Sequence, residues 1–179
     1  MMKQYEEPLF IDVRKNCPEG EDARILEDVI RRLFEDQPFA VLATQGKGIT
    51  NASLISFANT HDLKHIVFAT PINTGKFDLI TGDENVAILV DDRSQQQDSI
   101  NQISALTITG KARILHDENE IISWAGLLMK KYPNLTAFVK APTTAVILVE
   151  VVRFLYVSKF QEVSEYNPST TFTADCAEK

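Results

Sequence analysis

"HIVFATPINTGKFDLI", residues 65–80, joins a strand, a turn and a helix start in one short run. Apolar residues lead to Thr70, and Pro71, Ile72, Asn73 and Thr74 form a loop. Gly75 and Lys76 then open a short helix, expected over about 74–81. Thr70 and Thr74 supply hydroxyl groups, and Thr74 stands where an N-cap belongs. Gly75 lets the backbone come close, and Lys76 adds a full positive charge. Free amides and the positive end of the dipole gather at a helix N-terminus, so this stretch suits an anion such as a phosphate. A plainer reading stands beside it, with Thr74 a simple cap and Lys76 a solvated side chain. "TGKF" is not a Walker loop, because Thr70 and Phe77 replace the required glycine and metal-binding hydroxyl. ATP hydrolysis is disfavoured.

Working outward, "EDARILEDVIRRLFEDQ" carries Ile25, Val29, Ile30, Leu33 and Phe34 at helical spacing and predicts a helix over 21–36. Acids crowd its start, Arg31 and Arg32 lie near its end, and Pro38 stops it. Strands are expected at "FAVLAT" (39–44), "ITNASLISFAN" (49–59) and "HIVFAT" (65–70). "NVAILVDD" (85–92) has no polar alternate, which predicts burial of both faces. "ISALTITGKARIL" (103–115) alternates, with Leu106, Ile108, Ala112 and Ile114 on one face. "DENEIISWAGLLMKKYP" (117–133) is amphipathic, with Asp117 as cap and Pro133 as stop. "TAVILVEVVRFLYVS" (144–158) is the last long strand or strand pair. Short connections favour antiparallel pairing, so the segments predict a mainly β fold, a small barrel with flanking helices.

The 179 residues are 44% hydrophobic and 24% charged, which suits one core. No linker or repeat divides them, so 1–179 is read as one domain with an N-terminal arm (1–20) and a polar C-terminal tail (159–179). A net charge of −7 without a basic stripe argues against nucleic acid, and any anion must be held by a local device. No apolar run is long enough to span a bilayer, and "MMKQYEEPLF" lacks the features of a secretory signal. Cys17 and Cys176 lie at opposite ends, with no CxxC and no His/Cys cluster. Unpaired thiols, a cytoplasmic location and no metal site are the expectation. His61 and His65 flank the turn "HDLKH" and read as exposed; Trp124 reads as core. Lys130, Lys131 and Tyr132 read as a dipole complement and barrel contact.

The order "FAVLATQGKG", "NASLISFAN", "HIVFATPINTGKFDLI", "NVAILVDD", "LTITGKARIL" and a helix ending "KKYP" resembles the pyridoxamine-5′-phosphate-oxidase-like family, the FMN-binding split barrels. The likeness runs from about residue 25 to 158. It implies a six-stranded antiparallel split barrel and a homodimer with FMN at the subunit interface. By position, Thr70, Thr74 and Lys76 would hold the FMN phosphate, beside Ala69 and Asn73. The strand Asn51, Ala52, Ser53, Leu54, Ile55 and Ser56 would lie along the flavin, and Gln102 stands near an expected glutamine. The chain departs from the oxidase pattern where an Arg-Lys pair becomes Gly75-Lys76, and no arginine occurs in 51–56. Counterparts of the C-terminal Arg/His residues that hold pyridoxamine phosphate are not evident, which points away from that substrate. The resemblance thus implies a flavin-dependent oxidoreductase acting on an unknown small molecule, with no catalytic side chain nameable. The alternatives are a non-catalytic flavin- or haem-binding protein, a reductase using the deazaflavin F420, and a cofactor-free dimeric barrel in which Thr74 is only a cap.

Overall fold

The computed structural model describes residues 18–96, 102–158 and 162–168. Both cysteines, most of the arm and most of the tail lie outside the described residues. Helix α1 (Gly20–Asp36) precedes strands β1 (Ala40–Gly46), β2 (Ile49–Ile55), β3 (Phe57–Asn59) and β4 (His65–Pro71). Helix α2 (Gly75–Gly82) leads to β5 (Asn85–Asp91) and β6 (Ala105–Ile114). Helix α3 (Glu118–Lys131), a 3-10 turn (Pro133–Leu135) and α4 (Thr136–Val139) precede β7 (Thr144–Ser158) and β8 (Glu162–Tyr166).

Every strand pair is antiparallel. Hydrogen-bonded neighbours run β2-β1-β5-β6-β7-β4-β3, and β8 joins β7. The two ends of this path, β2 and β3, are consecutive in sequence and separated by Ser56 alone. One bent segment, 49–59, therefore borders both ends, and the sheet curls into a split barrel. The six expected strands are present; the second bends at Ser56 and β8 is an addition. The register between β6 and β7 shifts at Thr109/Gly110. A Cβ on Gly110 would stand 2.6 Å from the Glu150 carbonyl oxygen and 2.7 Å from the Val149 side chain. Glycine is required at this bulge because nothing larger clears the neighbouring strand.

Two cores form on opposite faces of the sheet. Inside the barrel, Leu42, Phe57, Phe68, Ile88, Ile108, Ile147 and Phe154 pack with Ile30, Leu33 and Phe34 of α1. Phe34 meets Phe57 edge-on at 5.4 Å. Outside, α3 and α4 bring Ala125, Leu128 and Val139 onto Val67, Val146 and Leu148. Strand β4 and the first half of β7 are thus covered on both sides, which explains their unbroken apolar runs.

Four expectations need correction. The inner face of α1 is Ala23, Leu26, Ile30, Leu33 and Phe34; Ile25 is 57% exposed and Val29 only half-buried. On β5, Val86, Ile88 and Val90 are buried while Ala87 and Leu89 are half-buried, so among the described residues only one face of the strand is closed over. Within the polar C-terminal tail, residues 162–166 nonetheless pair with β7, and Tyr166 stacks on Phe154 at 6.0 Å. His65 is half-buried on β4 against Trp124, with ring centroids 5.2 Å apart, whereas His61 is exposed as expected.

Candidate functional site

Strand β4 and helix α2 place Thr70, Thr74 and Lys76 together. Thr70, near the end of β4, is 1% exposed. Its hydroxyl lies 3.2 Å from the Thr74 hydroxyl and accepts from Lys76 Nζ at 3.4 Å. Thr74 occupies the N-cap position of α2 in extended conformation, but its side chain caps nothing. The Thr74 hydroxyl donates instead to the Pro71 carbonyl at 2.9 Å. No side chain among the described residues accepts from the first-turn amides of α2. Helix α3 behaves differently, since the Asp117 carboxylate accepts from the Asn119 and Glu120 amides. The simple-cap reading of Thr74 therefore fails, and α2 keeps donors that an anion could use.

A cleft of about 230 Å³ opens at this point. Of the residues named from sequence, Leu54, Ile55, Ser56, Ala69, Thr70 and Lys76 line it. Thr74 adjoins it through Thr70. Asn51 donates to the Ser53 hydroxyl at 3.2 Å further along β2, and Ala52 faces outward. Asn73 is exposed in the loop, and Gln102 is exposed ahead of β6; neither lines the cleft. The opposite wall comes from Leu128, Leu135, Phe138 and Val139, which the sequence reading missed. The signal available for them was a second apolar cluster after Pro133, in "LTAFV". No group of three or more His, Cys, Asp or Glu residues able to hold a metal occurs among the described residues.

The end of α3 has a structural role. Lys131 Nζ donates to the Phe34 carbonyl at 2.7 Å and the Gln37 carbonyl at 3.4 Å, and lies 4.2 Å from the Phe57 ring centroid. The cation that meets the C-terminus of α1 therefore comes from another helix, whereas Arg31 pairs with Glu27 and Asp28. Burial pushes the Lys131 amine down to about 8, against a smaller opposing effect of Glu35. The Tyr132 hydroxyl donates to the Pro38 and Phe57 carbonyls at 2.8 and 3.0 Å. Burial raises its pKa.

The profile of the pyridoxamine 5′-phosphate oxidase family matches residues 26–158, most of the chain. The chain belongs to this family. Its cleft forms where β2, β4 and α2 of the family's split barrel converge. Similar solved structures include Campylobacter jejuni ChuZ, at 15% identity and a TM-score of 0.70, covering 84% of this chain and 61% of that one. A heme binding protein from Mycobacterium smegmatis is 13% identical with a TM-score of 0.69, covering 84% and 60%. General Stress Protein 26 from Bacillus anthracis is 16% identical with a TM-score of 0.59, covering 79% and 98%. At these identities the likeness establishes the fold alone. No curated protein matches the chain at a significant level. No helix among the described residues is long and apolar enough to cross a membrane.

Proposed function

We propose that the chain binds FMN, with its phosphate against Thr70, Thr74, Lys76 and the first turn of α2, and serves as a flavin-dependent oxidoreductase. The observation that carries this is a lysine without a carboxylate partner among the described residues, beside uncapped helix amides. The residues fit a phosphate by charge and by donor chemistry. FMN, when bound, supplies the redox chemistry. The chain's own residues bind the phosphate, aim the ring along β2 and shape access through Leu135 and Phe138. Complete ligand sites typically occupy about 300–1,000 Å³, so a cleft of about 230 Å³ suits one end of FMN and leaves the ring to a second wall. A second subunit would provide that wall, as the family resemblance implies, and the acceptor would be a small molecule in a cytoplasmic setting.

Haem is the second reading, favoured by similar structures whose names describe haem binding. Against it, none of the residues lining the cleft is a histidine. The test is the visible spectrum of the purified protein, with the ligand released by heat and weighed. Two flavin bands and the mass of FMN support the first reading. A Soret band, or no uptake of added FMN, overturns it. Sedimentation tests the dimer separately.

A further inference from the structure

A larger cavity, about 400 Å³, lies between α3, α4 and the start of β7. It sits across the β4–β7 pair from the anion cleft, where Ala69 pairs with Val146 and Thr70 with Ala145. Val139 of α4 lines both spaces. Leu115, Ala125 and Val146 are buried in its wall. Alanines at 125, 141 and 145 leave the space unfilled, where a close-packed interior would place larger side chains. Two exposed residues line it, Ile122 at 70% exposure and Lys140. Lys140 is the single charged residue among those lining it. Its amine makes no ion pair or hydrogen bond among the described residues.

A mostly apolar chamber of this volume, with one charged side chain at Lys140 and one hydroxyl at Thr144, has the make-up of a small-molecule site. Charge complementarity at Lys140 selects the ligand's head, and the apolar wall selects its body. We infer that this chamber binds an apolar organic monoanion, an alkyl or aryl acid of about eight to ten carbons, with its head at Lys140. The site is separate from the flavin reading and stands or falls without it.

The test is calorimetry on the full chain with octanoate, octan-1-ol and octylammonium as probes below their micelle concentrations. Octanoate should saturate one site, and octylammonium should bind at least about tenfold more weakly. Lys140→Glu should weaken octanoate about tenfold and leave octan-1-ol nearly unchanged. Ile122→Trp should block all three probes by filling the mouth. Both substitutions fall on exposed side chains, so thermal unfolding should stay within the usual surface range. Absence of saturation, equal binding of octylammonium, or octanoate binding that survives both substitutions overturns the inference. A fall in sedimentation mass for Ile122→Trp without loss of octanoate binding assigns the groove to a second copy, and also overturns it.

Discussion

Lys76 and Lys131 lie at opposite kinds of helix end. Lys131 stands at the C-terminus of α3 and on the last carbonyls of α1, where a cation complements the dipole. Lys76 is in the first turn of α2, where the dipole opposes it. Neither has a carboxylate in bonding contact among the described residues. Lys131 is satisfied by backbone oxygens and an aromatic face, but among the described residues Lys76 reaches only the Thr70 hydroxyl, at 3.4 Å. A cation at an unfavourable end, beside uncapped amides, is the feature on which the proposed phosphate site rests. The same residue type thus holds structure in one place and, in the proposed function, meets a ligand's phosphate in the other.

The largest effect should come from Lys131→Ala. It removes two charge-assisted bonds, the contact with Phe57 and buried stem packing, at a cost of about 2–3 kcal/mol. Denaturant unfolding measures this, and FMN affinity of the folded protein should hold. Lys76→Ala should do the reverse, weakening FMN by about tenfold or more while stability changes by less than ~0.5 kcal/mol. Equal effects of the two substitutions on either quantity would break the contrast. Thr70→Val keeps the shape of the buried side chain and removes its hydroxyl, so FMN affinity should fall about three- to tenfold. Fluorescence titration of the apoprotein reads both.

A further effect is pH-dependent. The Lys131 amine titrates near 8 in the folded chain, below its ordinary 10.5, so the unfolded chain binds this proton more tightly. Stability contributed at this residue should therefore rise as pH increases from about 8 to 10.5. Comparison of unfolding free energies with Lys131→Met across that window isolates it. A slope of opposite sign would show that the carbonyls and Phe57 outweigh desolvation.

Much of the barrel was legible because its strands are bounded by turn signals and ordered as in the family. The convergence of Thr70, Thr74 and Lys76 was legible because the three lie within seven residues. What failed depends on layers that one segment cannot show. Two-sided burial was assigned to β5 from its apolar run, but α3 and α4 cover β4 and β7 instead. Leu135 and Phe138 reach the cleft through a 3-10 turn and a four-residue helix, too short for a periodic signal. Tyr166 gives the tail an anchor that composition alone hides. Its hydroxyl donates to Glu27 at 2.7 Å, and burial, with the Glu27 bond, raises its pKa.

Strand β7 has a consequence for how the chain behaves among its own copies. Across from β6, its other edge is shared in relay, with β4 taking residues 144–150 and β8 taking 154–158. Without β8, five residues of unpaired backbone would face solvent beside Phe154, a ready template for intermolecular strand addition. The short segment 162–166 therefore works as a seal, and its removal should make copies of the chain more self-adhesive.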